Sequence, residues 1–138
     1  MQLRYEAGSR VPMHCTSMGK LLLANLPKRR RDHLLSVSSL HRYTDNTLTD
    51  VEQLEEEFGE IRSRGYSLDN QEFLAGVICV AVPVRDAGGN VRASVAISAP
   101  QARMPIALAV ERVPVLSEAA QEISATWEIN VQSDDGDA

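Results

Sequence analysis

The residues of this 138-residue chain best equipped for chemistry are two cysteines, three histidines and the carboxylate of Asp69. A nucleophilic cysteine needs a cationic or helix-terminal setting that favours the thiolate. Cys79 lies instead in the apolar run Val77–Val84. Burial there raises a thiol pKa, so Cys79 reads as a small buried hydrophobe. Cys15 follows His14 near a helix start, which can lower a thiol pKa, but sequence neighbours usually point apart. A zinc site needs three or four ligands at usable spacing. His14 and Cys15 are adjacent, whereas His33, His41 and Cys79 are scattered, so structural roles suit them and no metal is expected. Gly19-Lys20 looks like the end of a phosphate-binding loop, but His14 and Leu21 stand where that loop requires Gly and Ser or Thr. Gly88-Gly89 lacks the strand–helix context of a dinucleotide fingerprint. No cofactor is expected.

Asp69 ends a short arm and is followed by Asn70-Gln71-Glu72. A carboxylate there can form a turn, receive backbone amides or hold a ligand hydroxyl, and all these roles stay open. The run Lys28-Arg29-Arg30-Arg31 reads as a solvated helix face. Fourteen Lys and Arg against nineteen Asp and Glu give a net charge of −5. That balance argues against this segment gripping nucleic acid by itself. With 43% apolar and 24% charged residues the chain has globular composition. No apolar run approaches the length of a bilayer span, no signal peptide opens the chain, and a cytoplasmic location is expected.

The elements that must position these groups follow from local pattern. Leu3–Ala7 alternates and meets Gly8-Ser9, as a strand ending in a turn would. Thr16 or Ser17 can cap a helix stopped near Pro27, which in turn can open a second helix from Lys28 to Leu35. Thr49-Asp50-Val51-Glu52 has the form of a capping box. Val51, Leu54, Phe58 and Ile61 share the next helix's face, and Gly65 can stop it. Tyr66–Asp69, Val77–Val84 and Val91–Ser98 predict strands, the last two as a hairpin about Asp86–Asn90. A helical tail follows, with Pro114 at a helix start or kink and Leu116, Ala120, Ile123 and Trp127 on one face. Residues 133–138 look like a disordered acidic tail. The order predicts an α/β (α+β) fold, a central antiparallel sheet flanked by helices.

Four blocks in register resemble the effector-binding domain of IclR-type transcriptional regulators. They are Gly8–Ala24, Thr44–Asp50, Arg64–Glu72 running into Gly76–Asp86, and Ser94–Pro100 with Arg103-Met104. The resemblance implies a GAF-like domain over residues 1–132, truncated at its N-terminal side. On that resemblance the winged helix-turn-helix of such regulators is expected to be missing from these residues, and DNA to be met only through that N-terminal domain. It implies no catalysis, no membrane, a homodimer or homotetramer, and a pocket for a small carboxylic or sugar acid.

Site residues carry over by position. The resemblance places Ser17, Met18 and Gly19 along the pocket, where amides at a helix start can meet a ligand carboxylate. It sets Asp69 and Cys79 facing the effector and Val77 in the same wall. Ala96 and Ser98 match positions that are often serines, and Ala96 departs from that pattern. The implied mechanism is linkage: the effector favours one subunit arrangement and so alters operator binding, by repression or activation. Two alternatives remain, a small cysteine enzyme on a GAF-like fold and an oligomerisation module with a vestigial pocket.

Overall fold

The structure, a computed structural model, describes the backbone of residues 6–135 and the side chains of residues 6–127. Three helices come first: α1 (Ser17–Ala24), α2 (Lys28–Val37) and α3 (Val51–Arg64). The strands β1 (Ser67–Asn70), β2 (Val77–Arg85) and β3 (Val91–Pro100) form an antiparallel sheet in the order β1-β2-β3. Two helices, α4 (Ile106–Glu111) and α5 (Val113–Asp135), complete the described fold.

The sheet is buried on both faces because β2 is apolar almost throughout. Its Ile78, Val80, Val82 and Val84 pack with Met104, Ala109, Leu116 and Ala120 from the α4–α5 side. The opposite face carries Ala81 into a second cluster with Leu21, Leu23, Leu54, Phe58 and Ile61. The result is a helix–sheet–helix sandwich with the predicted sheet at its centre.

Local chemistry explains the boundaries. Thr16 accepts the Gly19 amide at 3.1 Å and so caps α1. Pro27 stands at the N-cap of α2, one position outside the helix, and Pro114 falls in the first turn of α5. Gly65 ends α3 at φ 82°, a left-handed stop that costs glycine least. The turn at Ala7-Gly8 forms, with Ser9 N donating to Glu6 O, but most of the strand predicted at Leu3–Ala7 lies outside the described residues.

Several expectations are corrected. The cap of α3 is Asp50, which accepts the Glu52 amide at 2.8 Å. Thr49 instead accepts from Arg42 at 3.2 Å, so the capping box does not close. Val51, the first residue of α3, is 44% exposed, while Leu54, Phe58 and Ile61 are buried. Ile123 leaves the α5 core face and is 43% exposed. Helix α5 continues through Ser133–Asp135, where a disordered tail was expected. Residues 136–138 lie outside the described residues.

The basic run is also more than a solvated face. Arg31 is buried and forks onto Glu55, Nε to Oε1 at 2.9 Å and Nη2 to Oε2 at 3.2 Å. Lys28, Arg29 and Arg30 are exposed as expected.

The α3 packing gives a paired prediction. Leu54→Ala should lower unfolding free energy by about 2–5 kcal/mol, and Val51→Ala by no more than about 0.5 kcal/mol. Urea titration of both variants checks this, and equal losses would place Val51 back in the core.

Candidate functional site

Strand register assembles the site. Asp69 pairs with Cys79, and Cys79 with Ser98, forming one row across β1, β2 and β3. The adjacent row on the same face is Ser67, Ala81 and Ala96. Val77, opposite Pro100, lies beyond Cys79 on that face. The sheet thus brings together Asp69, Val77, Cys79, Ala96 and Ser98. Met18 of α1 packs on the cluster that holds Ala81 and Ala96, and Ser17 is buried one residue earlier.

The row is linked by hydrogen bonds. Cys79 Sγ lies 2.8 Å from Ser98 Oγ, and the Cys79 thiol also hydrogen-bonds the Asp69 carboxyl. Asp69 Oδ1 accepts the Glu72 amide at 2.8 Å. Glu72 Oε2 accepts the Asn70 amide at 2.9 Å, so the β1–β2 turn is closed by its own carboxylates. Two hydroxyls, Ser17 Oγ and Ser67 Oγ, are buried without a hydrogen-bond partner. Unpaired buried polar atoms are uncommon in native proteins.

Gly19 of α1 donates its amide to Thr16 and packs closely on the preceding segment. A Cβ there would stand 2.4 Å from Met13 Cα and 2.6 Å from Met13 O. Its absence lets the Pro12–Thr16 segment lie against α1.

A second network lies beside the row. Lys20 is 1% exposed and donates to Glu72 Oε1 at 2.8 Å, Glu57 Oε1 at 3.2 Å and Leu68 O at 2.6 Å. In the sequence Lys20 stands out only beside Gly19, where the phosphate-loop pattern fails. Its spacing to Leu21 and Leu23 suggests a partly apolar helix, and nothing local reveals the distant partners Glu57 and Glu72. The turn is held from outside as well: Thr44 and Thr47 hydroxyls donate to Gln71 O and Glu72 O, each at 2.5 Å, and Asn46 donates to Asn70 O at 2.9 Å. Gln71 sits at φ 57°, a left-handed conformation that this clasp maintains.

Burial pushes the Asp69 carboxyl up from 3.8 to about 6. The Glu72 amide opposes that rise, the Glu72 charge adds to it, and Lys20 and Cys79 oppose it. Burial likewise pushes the Cys15 thiol up to about 12, with the Asp69 and Glu72 charges adding and Lys20 opposing. Cys15 is therefore held as a thiol, the reverse of an activated nucleophile.

Three cavities lie elsewhere. One of about 280 Å³ is lined by Val11, His14, Leu23, Leu35 and Leu40 among others. The other two lie along α5, about 530 Å³ beside Ile123 and Trp127 and about 470 Å³ between Pro83, Arg85 and Ala120. No residue of the Asp69 row lines any of these three. Among the described residues no group of three or more His, Cys, Asp and Glu could hold a metal ion, and no helix is long and apolar enough to cross a membrane.

An antiparallel sheet between helical layers, in a helix–sheet–helix sandwich, defines a domain of the GAF-like kind. Residues 1–125 match the family described as bacterial transcriptional regulator IclR C-terminal, and the chain belongs to that family. It is 38% identical over 120 residues to the HTH-type transcriptional regulator BhcR of Paracoccus denitrificans, covering 87% of this chain and 43% of BhcR. The crystal structure of Thermotoga maritima IclR superposes with a TM-score of 0.83 at 34% identity, covering 91% of this chain and 51% of that one. A double mutant of the PobR inducer-binding domain from Acinetobacter, in complex with 3-hydroxybenzoic acid, gives 0.80 at 32% identity, covering 85% and 67%. The chain spans about half the length of the curated relatives it matches. Those relatives are transcriptional regulators, and this is a regulator domain rather than an enzyme.

Two predictions test the geometry. Gly19→Ala should cost about 1–3 kcal/mol of stability, since the added methyl meets backbone rather than a flexible side chain. A wild-type urea midpoint in that variant would show that the contact is not close. Asp69 binds its proton more tightly folded than unfolded, so its contribution to stability declines as pH rises from about 4 to about 6. Above that window the buried charge opposes folding. Asp69→Asn should therefore be about 1–3 kcal/mol more stable than the parent at pH 7.5, and little different at pH 4. A difference independent of pH, read by chemical denaturation at both values, would sink this assignment.

Proposed function

We propose that this chain is the sensing part of a longer, cytoplasmic, DNA-binding regulator. On this reading it binds a small organic acid between the start of α1 and the Asp69–Cys79–Ser98 row. The observation that carries the proposal is that row, flanked by the buried, unpartnered hydroxyls of Ser17 and Ser67. Those hydroxyls can each donate to a ligand oxygen, as can the α1 amides at Ser17 and Met18, which precede the first intrahelical bond. The neighbouring row is apolar at Ala81 and Ala96, with Met18 over it. An acid with a polar head and a small apolar body matches that division. The acid bound by the PobR domain belongs to this chemical class.

Occupancy would favour one arrangement of a homodimer or homotetramer and thereby alter operator binding by a domain outside this chain. Only a ligand that distinguishes the arrangements can do so. The cysteine-enzyme alternative loses support from the Cys15 thiol, which burial, aided by its carboxylate neighbours, keeps protonated.

Thermal denaturation with lactate, gluconate, benzoate and 3-hydroxybenzoate tests the reading. A ligand at about a hundred times its Kd adds about 2.7 kcal/mol, a shift of several degrees for a domain of this size. At least one acid should raise the melting temperature, and Asp69→Ala should remove the increase while the variant stays folded. No increase with any of the four would favour an oligomerisation module, and an increase that survives Asp69→Ala would move the site elsewhere.

A further inference from the structure

The charges around Asp69 restrict how an acid can enter this site. Asp69 is 2% exposed and Glu72 7% exposed, and Glu72 donates its amide to Asp69. The titratable and charged groups facing Asp69 are Cys15 before α1, Lys20 on α1, Glu72 in the turn and Cys79 on β2. Glu57 and Arg64 of α3 lie beyond Lys20, with Arg64 Nη2 3.4 Å from Glu57 Oε1. Two cations thus face three carboxylates.

Neither cation is available to a ligand. An ammonium has three protons, and Lys20 places them on Glu57, Glu72 and the Leu68 carbonyl. Arg64 is taken up by Glu57, Glu60 and the Tyr66 carbonyl, on the far side of Lys20. What remains to receive a carboxylate is neutral: the Ser17 and Ser67 hydroxyls and the amides at the start of α1. Those donors orient an anion without cancelling its charge. Two carboxylates held close in a dry site cannot both stay ionised, and they share one proton instead.

Resting on the effector site proposed above, we propose that its ligand is a monoanionic carboxylic acid and that each molecule bound brings one solvent proton onto Asp69. The protonated Asp69 then donates its O–H to the ligand carboxylate, which supplies the charged-acceptor hydrogen bond that no lysine or arginine can make here. The proton comes from water or buffer and returns when the acid leaves. Burial already lifts the Asp69 carboxyl from 3.8 to about 6, and a bound anion beside it raises it further, which keeps it protonated at neutral pH. The sensor therefore reads acid concentration and pH together: a fall in pH tightens its hold on the same acid.

Isothermal titration of the whole chain with benzoate, lactate and gluconate, in phosphate and in Tris at pH 7.5, counts protons from the dependence of heat on buffer. The expected count for a binding acid is about one, with affinity falling about tenfold per pH unit from 7 to 8.5. Asp69→Asn keeps an acceptor for the Glu72 amide and removes the titrating group. It should still bind, with a count near zero and a flat pH profile. An acid that binds the parent chain with no proton uptake overturns the inference while leaving the sensing site in place. Unchanged uptake in Asp69→Asn assigns the proton to another group and overturns it equally. If none of the three acids binds at any pH from 6 to 8.5, the sensing reading falls, and the proton step falls with it.

Discussion

The buried ammonium of Lys20 is the constraint on which the rest of this structure depends. Removing a lysine from water costs several kcal/mol unless each proton is matched. Here the partners come from three separate places: Glu57 on α3, the Leu68 carbonyl on β1 and Glu72 in the turn after β1. Satisfying all three fixes the depth of α1 over the sheet and the position of the turn. Glu72 then sets Asp69 through its amide and Asn70 through its carboxylate. A chain of matched donors and acceptors thus runs from a helix in the outer layer to the polar row on the sheet.

The two faces of the sheet divide an apolar core from a polar row. Toward α5 the strands present Ile78, Val80, Val82 and Val84, with no polar atom to satisfy. Toward α1 the same strands present Asp69, Cys79 and Ser98, and Ser17 and Ser67 leave hydroxyls unpaired nearby. Period-two alternation makes this possible, because one strand can serve a dry core and a polar row at once. A buried, ionised Asp69 and a left-handed Gln71 both work against folding, and such features collect where binding requires preorganised groups. The apolar face supplies the surplus that tolerates them.

Much of this was legible in the sequence, and the misses have physical causes. The strand β2, the hairpin turn, the Gly65 stop and the Thr16 cap follow from local pattern. Register then placed five of the eight predicted site residues on one face. The block Thr44–Asp50 stood out only as a resemblance; its purpose is tertiary, since Thr44, Asn46 and Thr47 hold the backbone of residues 70–72. Lys20 and Arg31 were hidden for the same reason. Their partners lie 52 and 24 residues away, and periodicity carries no such information. At Gly19 the family pattern gives no hint that the missing side chain also makes room for the Met13 backbone. At α3, Thr49 and Asp50 are both good caps, and local pattern does not choose between them.

Burial and the carboxylates beside it make Cys15 a poor catalyst. Asp69 and Glu72 add negative charge beside Cys15, on top of its burial, and hold its proton in place. An active-site cysteine needs the opposite field, a cation or an unshared helix start. The one buried cation nearby, Lys20, is already saturated and lowers the Cys15 pKa less than burial and the two acids raise it. Cys79 is engaged from both sides in its row, with Ser98 and with Asp69. Its sulfur serves as a compact, polarisable link between two oxygen-bearing residues, a role that asks for hydrogen bonding and snug volume rather than nucleophilicity.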